Sequence, residues 1–271
     1  MKIGVCIRAK DEQKIIADWT RHYINMGFDK IIIYDNMSNP SIEETLEGKG
    51  ILDKTKIQIL IDECNHSNQT VIYQECINNN KDLDWILLCD ADEFIWHKDK
   101  NIKVFLSQFS EDTSTVIINW LTYGTSKLHT YNLNKTVFEQ FIMREDYSHF
   151  WNSFIKSFVR PKLVETIGNV HITYNNIYKV KNVYNEIIEI IEYPNKCDYR
   201  DTKLSNNTPV LLVHYMTLDL ESMLNKSKRN INGGLLLNND SKYSLEWYKS
   251  SKYGFGFKDS NIDNRMCNKY I

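Results

Sequence analysis

The first 90 residues alternate between short apolar runs and longer amphipathic segments. The apolar runs are almost continuous, which is typical of strands in a parallel sheet whose two faces are both covered. They occupy residues 2–7, 30–34, 56–61 and 85–89. The alternation predicts a β-α-β-α-β-α-β order, and therefore an α/β fold with a mostly parallel central sheet flanked by helices.

Three helices are predicted between these strands. The first has about 15 residues, with apolar side chains at helical spacing from Ile15 to Met26, and it ends at Gly27, a residue type that favours helix C-termini. Ser41 and Glu44 have the spacing of a capping box, which predicts the start of a second, short helix. The third helix is predicted over residues 69–79.

The pattern is less regular after residue 95. A helix is predicted over residues 101–109, strands over 115–121 and 210–215, and a further helix over 220–230. Residues 177–203 fit the alternation poorly, and we interpret them as an insertion.

Composition narrows the class of protein. Hydrophobic residues make up 42% of the chain and charged residues 25%, as in soluble globular proteins, and the net charge of -2 argues against nucleic-acid partners. The six cysteines form no CxxC pair, which favours a reducing compartment over a disulfide framework or a zinc site. No apolar run approaches the roughly 20 residues of a membrane span, and no signal peptide precedes the first strand. We therefore expect a cytoplasmic protein without an integral membrane segment.

Polar residues follow each of the first four predicted strands. Ligands of open parallel sheets bind beyond the carboxyl ends of the strands, so we expect these side chains to meet at one edge. They are Arg8, Lys10 and Glu12 after the first strand, Asp35, Asn36 and Ser38 after the second, Asp62 after the third, and Asp90 and Asp92 after the fourth. Gln69 is a weaker candidate for the same edge.

Asp90 and Asp92 directly follow a buried strand in the sequence WILLCDADEFIW. Residues two apart in an extended chain point the same way and lie about 6.6 Å apart, which would let both carboxylates face one ligand. Hard oxygen ligands suit Mg²⁺ or Mn²⁺, ions that share their coordination with phosphate oxygens. The alternative is a polar loop whose acids cap the helix predicted at residues 101–109.

His214 is a third candidate metal ligand. It ends an apolar run, VLLVHYM, and imidazole is a common ligand of transition metals. The alternative is a buried histidine hydrogen-bonded to the backbone. Lys226, Lys228 and Arg229 follow on the next predicted helix, where they would either neutralise a diphosphate or form a solvated helix face.

Several blocks of the sequence together resemble a known family. The segments IRAKDE, DWTRHYINMGFDKIIIYDNMS and DWILLCDADEF are similar to glycosyltransferases of GT-A fold in family 92 and the related family-2-like group. The later blocks NWLTYGTS, SFIKSFVRP and VHYMTLDLESMLNKSKRNINGG fit too, so the resemblance spans about residues 1–235. It departs from the family at Asp11, where asparagine is usual, and after His214, where the usual serine pattern is missing.

The resemblance implies a GT-A fold that transfers a sugar from a nucleotide diphosphate donor, with inversion. The expected donor is a UDP-sugar, the acceptor a glycan or another hydroxyl compound, and the cofactor Mn²⁺ or Mg²⁺ bound by Asp90, Asp92 and His214. The expected contacts to the nucleotide sugar are Arg8, Lys10, Glu12, Asp35, Asp62, Gln69, Asp90, Lys156, Lys226 and Arg229. We expect a catalytic domain over residues 1–220, with a nucleotide-binding half at 1–95 and an acceptor half at 96–220, followed by a helical tail at 221–271.

An inverting transfer also needs a base that takes the proton of the acceptor hydroxyl. Glu139 and Asp146 are the candidates, and the alternative is that both are surface acids.

Two other functions remain open at this point. A metal-dependent nucleotidyltransferase or phosphoesterase also gathers carboxylates around Mg²⁺, but the chain lacks the Gly-rich phosphate loop or His/Asp cluster typical of such enzymes. A catalytically inactive glycan-binding module is the third possibility, and the presence of Asp90, Asp92 and His214 argues against it.

Overall fold

The structure is a computed structural model of the 271-residue chain. It describes residues 1–64, 69–99, 101–168, 170–171, 178–188, 204–222, 225, 261–263 and 265–266. The strands are β1 (Ile3–Ala9), β2 (Lys30–Asp35), β3 (Ile57–Ile61), β4 (Trp85–Leu88), β5 (Glu93–His97), β6 (Thr113–Thr122), β7 (Met143–Arg144), β8 (Ile155–Val159), β9 (Lys179–Lys181), β10 (Val210–His214) and β11 (Asn261–Ile262). The helices are α1 (Ile16–Asn25), α2 (Ile42–Gly48), α3 (Gln69–Asn79), α4 (Ile102–Leu106) and α5 (Val137–Gln140), with 3₁₀ turns at Phe150–Ser153 and Pro161–Leu163.

A nine-stranded mixed sheet forms the centre of the molecule. Its strand order is β3-β2-β1-β4-β8-β6-β10-β5, and β9 pairs with β6 outside this path. The strands β1 to β4 run parallel, β10 and β9 run parallel to β6, and β8 and β5 are antiparallel to their neighbours. The prediction of an α/β fold with a mostly parallel sheet is confirmed.

Both faces of this sheet are covered, which explains the unbroken apolar runs. Along β1, Val5 packs in one buried cluster with Trp19 and Tyr23 of α1. Its neighbour Cys6 points to the other face and packs in a second cluster with Tyr73 of α3. Alternate residues of one strand therefore meet helices on opposite sides of the sheet.

The predicted helix boundaries are confirmed in part. Gly27 has a φ of +83°, and the amide of Phe28 donates to the carbonyl of Tyr23 at 3.1 Å, as expected for a glycine-terminated helix. The capping box of Ser41 and Glu44 is present at the start of α2. The first helix has 10 residues instead of about 15. The predicted helix at 101–109 ends at Leu106, and its cap is Asn101, so no acid of the 90–93 segment caps it.

Other parts of the chain differ from the sequence expectation. β5 was not predicted, and it becomes buried by antiparallel pairing with β10. Within the predicted insertion at 177–203, β9 joins the central sheet beside β6, so this portion is part of the fold. In the predicted helical tail, β11 is a strand paired with β7, whereas residues 223–224 and 226–260 lie outside the described residues.

None of the helices within the described ranges could cross a membrane, because the longest, α3, has only 11 residues.

Candidate active site

The chain turns sharply where β4 leads into β5. The amide of Glu93 donates to the carbonyl of Asp90 at 3.1 Å, and the amide of Asp90 donates to Glu93 Oε2 at 2.7 Å. The extended conformation assumed for the Asp90–Asp92 spacing is therefore wrong. The turn lets the two carboxylates take different partners.

Asp90 is held by a lysine and an amide. Lys156 Nζ donates to Asp90 Oδ2 at 2.8 Å, and Gln69 Nε2 donates to Asp90 Oδ1 at 2.7 Å. Burial acts to raise the pKa of Asp90, but the Lys156 ammonium outweighs it and holds that pKa below its ordinary value. The predicted candidates Gln69, Asp90 and Lys156 are thus brought together, and the Asp90 side chain is 36% exposed whereas that of Lys156 is fully buried.

Glu93 is a fully buried acid that the sequence analysis did not propose for the site. Its Oε2 lies 3.9 Å from Lys156 Nζ, so one ammonium serves two carboxylates. Burial raises the pKa of Glu93 well above its ordinary value, although Lys156 opposes that change. Burial also disfavours the ammonium, yet the carboxylates of Asp90 and Glu93 raise the pKa of Lys156 overall.

Asp92 meets His214 across the β5–β10 edge. Asp92 Oδ1 lies 3.4 Å from His214 Nε2, and both residues are less than 10% exposed. The strand register fixes this pair, because His214 is opposite Glu93 and the Tyr215 amide donates to the Asp92 carbonyl at 2.9 Å. The ring of Trp120 packs against the imidazole with 4.3 Å between centroids.

These donors fit a divalent metal ion. A carboxylate oxygen and an imidazole nitrogen side by side suit Mn²⁺, which accepts both ligand types. His214 Nδ1 is buried and has no hydrogen-bond partner among the described residues, so the imidazole is held mainly through Nε2 and its ring contacts. Within the described ranges no three His, Cys, Asp or Glu side chains are placed to hold a metal together, so a six-coordinate ion at Asp92 and His214 would need about four further ligands.

A second group of polar residues lies at the carboxyl ends of β1 to β3. Arg8 Nε donates to Asp62 Oδ2 at 2.6 Å, and Asn36 Nδ2 donates to the same oxygen at 3.1 Å. The amide of Cys64 donates to Asp62 Oδ1 at 3.0 Å. Partial burial tends to raise the pKa of Asp62, but Arg8 and these hydrogen bonds lower it. The expectation that these loops meet at one edge is confirmed for Arg8, Asn36 and Asp62.

Asp35 has a structural role in the same edge. Its Oδ1 accepts the amide of Ser38 at 3.0 Å, and its Oδ2 accepts the amide of Ile42 at 2.9 Å. Both oxygens of this buried carboxylate are thus used to shape the β2–α2 turn.

Lys10 and Glu12 lie in the loop between β1 and α1. Lys10 is exposed, and the carbonyl of Glu12 accepts the amides of Ile15 and Ile16 at the start of the helix. Glu12 also lines a cavity of about 380 Å³, together with Lys14 and Ser222. Lys226, Lys228 and Arg229 lie outside the described residues.

The two candidate bases have different positions. Glu139 closes the capping box of α5 by accepting the amide of Thr136 at 2.7 Å, an interaction that lowers its pKa. Asp146 accepts the Ser148 amide at 3.0 Å, and this hydrogen bond lowers the pKa of Asp146. Asp146 follows Glu145, whose amide donates to the carbonyl of Thr122 at 3.1 Å. Because Thr122 pairs with His214, only Asp146 is tied by these contacts to the edge that carries Asp92 and His214.

The family model of glycosyltransferase family 92 matches residues 1–233, which is most of the chain and includes every described residue of this edge. The chain belongs to glycosyltransferase family 92. No curated protein matches the sequence.

Solved structures match this family 92 chain at low identity. Glucosyl-3-phosphoglycerate synthase from Mycobacterium tuberculosis, in complex with Mn²⁺, uridine-diphosphate and glucosyl-3-phosphoglycerate, is 14% identical with a TM-score of 0.31, over 47% of each chain. TarS 1-349 from S. aureus is 12% identical with a TM-score of 0.39, over 96% of this chain and 74% of its own. The mannosyltransferase PcManGT from Pyrobaculum calidifontis, in complex with GDP-Man and Mn²⁺, is 10% identical with a TM-score of 0.40, over 66% of this chain and 56% of its own. The chain spans 47% of the length of the M. tuberculosis synthase and 44% of the length of another matching structure, described as a mycobacterial protein.

Two residues of the family 92 site escaped the sequence analysis for different reasons. Glu93 directly follows Asp92, and nothing in the local sequence shows that it begins a buried strand. Trp120 stands in the NWLTYGTS block, whose resemblance to the family could have nominated it. Its contact with His214 depends on the parallel pairing of β6 and β10, which no short motif encodes.

Proposed function

We propose that this family 92 protein transfers a sugar from a UDP-sugar to a hydroxyl of a glycan acceptor, with a divalent metal and with inversion at the anomeric carbon. The observation that carries the proposal is the Asp92–His214 pair, which lies beside the lysine-held Asp90 at the edge where the parallel strands end. Such edges are the usual ligand sites of open α/β sheets.

The metal would be Mn²⁺ or Mg²⁺, held by Asp92 and His214, with Asp90 nearby. Once bound, it would supply positive charge that stabilises the departing diphosphate. Lys156 is directed at Asp90 and Glu93, so its part in the proposal is to fix the Asp90 carboxylate. Lys226 and Arg229 are the proposed cations for the phosphates.

The proposed nucleotide site lies at the ends of β1 to β3. Arg8 and Asn36 are arranged around Asp62, and together they offer donors and a carboxylate to a nucleobase or ribose. Lys10 and Glu12 extend this surface along the next loop. Asp35 supports the proposed site through its turn, since both of its oxygens accept backbone amides.

Asp146 is the proposed base. As the acceptor oxygen forms its bond to the anomeric carbon, the bond to the diphosphate oxygen breaks, and Asp146 takes the hydroxyl proton. Asp146 is exposed, so its carboxylate is accessible to an acceptor hydroxyl. Glu139 is less suited, because its carboxylate caps α5.

The test is incubation of the pure protein with a panel of nucleotide sugars and Mn²⁺, followed by detection of released nucleoside diphosphate. Slow, metal-dependent hydrolysis of one nucleotide sugar supports the proposal, and Asp92→Asn should abolish it. The matched control is Asp112→Asn, which breaks an exposed ion pair with Lys179 before β6. Cleavage of simple nucleotides or phosphate esters instead would favour a phosphoesterase, and glycan binding without any turnover would favour a binding module.

A further inference from the structure

The C-terminal residues of the described chain are joined to the strand that precedes Asp146. Asn261 and Ile262 of β11 pair with Arg144 and Met143 of β7, and the Asp263 amide donates to the carbonyl of Ile142 at 2.7 Å. The inner side of β7 is joined to the end of β6 by the isolated bridge between Tyr123 and Arg144. Residues 261–263 therefore form the outer partner of β7.

Four side chains fasten this pairing, and we call Arg144, Tyr147, Asp263 and Arg265 the C-terminal clamp. Asp263 Oδ2 accepts hydrogen bonds from Arg144 Nε at 2.6 Å and from Arg265 Nε at 2.9 Å. Arg265 also donates to the Tyr147 hydroxyl. The side chains of Arg144, Asp263 and Arg265 are at most 11% exposed. The buried Asp263 carboxylate is therefore stabilised by the two guanidinium groups, and they by it.

The C-terminal clamp contacts Glu145 and Tyr147, the residues on either side of Asp146. The Arg144 guanidinium donates to the carbonyl of Glu145 at 2.7 Å and lies 4.3 Å from the ring centre of Tyr147. Asp146 itself is exposed and stands between these two residues. Its side chain bonds only the neighbouring Ser148 among the described contacts, so its position depends on how its neighbours are held.

The opposite side of the same loop is attached to the central sheet. Asn152 Nδ2 donates to the carbonyl of Asp146 at 2.7 Å, and Asn152 Oδ1 accepts the amide of Thr122 at 2.8 Å. Thr122 is the β6 partner of His214. The loop that carries Asp146 is thus held on one side by Asn152 and β6, next to His214, and on the other side by the C-terminal clamp.

We infer that the C-terminal clamp positions Asp146 for its reaction with the acceptor, and that Asp263 and Arg265 thereby contribute to the active site. The inference rests on the proposed function, in which Asp146 is the base. Displacing a catalytic base by about 1 Å can lower the rate roughly 100-fold. The contacts that fix Glu145 and Tyr147 should therefore affect the rate of transfer. UDP binding should not depend on the clamp, because the proposed nucleotide contacts Arg8, Asn36 and Asp62 lie at the ends of β1 to β3.

The experiment compares Asp263→Asn and Arg144→Lys with the control Asp112→Asn. Both clamp variants should lower the turnover number for sugar transfer by about 10- to 100-fold. The KM for the donor and the affinity for UDP with Mn²⁺ should stay at the wild-type values. Hydrogen exchange should become faster at the amides of residues 143–148 and stay unchanged in β1 and β4.

The outcomes separate a positioning role from a merely structural one. Equal losses of donor affinity and turnover, with a lower melting temperature, would overturn the inference in favour of general destabilisation. Arg265→Gln leaves the Arg144–Asp263 bond in place and serves as the milder variant if the others fail to fold. A wild-type protein that transfers no sugar would defeat the proposed function. Unaltered hydrogen exchange at residues 143–148 in the clamp variants would show that the C-terminal clamp does not restrain this loop, and would overturn the inference whatever the activity.

Discussion

Asp92 Oδ1 lies 3.4 Å from His214 Nε2, although the two residues come from opposite halves of the chain. The contact exists because β5 reverses direction immediately after Asp92 and pairs antiparallel with β10. On its other side β10 pairs parallel with β6, which places Thr122 beside His214 and so brings the Asp146 loop to the same edge. The strand β10 thus joins the proposed metal ligands to the proposed base.

Replacing His214 by phenylalanine should remove the ligand nitrogen while keeping a ring against Trp120. We expect the affinity for Mn²⁺ in the presence of UDP to fall at least about tenfold, since even indirect supports of metal sites contribute that much. The melting temperature should change little. Calorimetric titration of Mn²⁺ beside a melting curve measures both quantities. A destabilised variant with unaltered Mn²⁺ affinity would assign His214 to the core.

Replacing Lys156 by methionine should destabilise the protein, because the carboxylates of Asp90 and Glu93 lose their shared cation. Breaking a buried ion pair costs about 3–5 kcal/mol, and partial exposure of Asp90 reduces this to about 2 kcal/mol. The melting temperature should therefore fall by roughly 4–8 °C.

The double variant Lys156→Met/Glu93→Gln is the control for Lys156→Met, since it also removes the buried acid that would be left without a cation. It should recover part of the lost melting temperature. A single variant with wild-type stability but weak UDP binding would instead place Lys156 against the phosphates of the donor.

Asp35 and Asp62 should respond differently to alanine substitution, although both follow strands at the same edge. Asp35→Ala removes the acceptor of two backbone amides and should lower the free energy of unfolding by about 1–3 kcal/mol, with UDP affinity unchanged. Asp62→Ala releases Arg8 and should weaken UDP binding by about 1–3 kcal/mol. Denaturant unfolding and calorimetry measure the two effects. Weaker UDP binding by Asp35→Ala would restore Asp35 to the nucleotide site.

The parts of the fold that were predictable are those in which local pattern and burial agree. The apolar runs of β1, β2 and β4 are buried on both faces, so their composition alone revealed them. The edge strand β3 is equally apolar, although of its residues only Ile57 is buried. The edge rule then correctly grouped Arg8 with Asp62. β5 was missed because it begins directly after a polar turn, and its burial depends on β10, which is distant in sequence.

Within the site, residue types were easier to predict than their partners. An acid after a strand is a reasonable ligand candidate, but the use of both Asp35 oxygens depends on the conformation of the following turn, where Met37 has a φ of +56°. Glu139 could have been assigned from sequence, because Thr136 precedes it at capping-box spacing. The contacts of Asp263 with Arg144 required the structure, since no local pattern links the two ends of that pairing.

His22 should make the stability of the protein fall at acidic pH. It is buried in α1 with Nε2 2.8 Å from the carbonyl of Ile95, to which the neutral imidazole donates. Burial lowers the pKa of His22 to about 3 from an ordinary 6.5. Between these two values the unfolded chain binds a proton that the folded chain does not, so stability decreases as the pH falls from 6.5 toward 3. The contribution has a slope of about 1.4 kcal/mol per pH unit.

His22→Gln tests this, because its side-chain amide can still donate toward Ile95 but does not titrate. The variant should be less stable than the wild type at pH 7, owing to lost ring contacts with Phe94 and Phe138. Its free energy of unfolding should decline less steeply between pH 6.5 and 4, by about 1.4 kcal/mol per pH unit. Urea unfolding at several pH values measures the free energy of unfolding of both proteins. The carboxylates titrate in both, so their contribution cancels in the difference between the two free energies. Parallel pH profiles would mean that the folded protein accommodates the His22 proton.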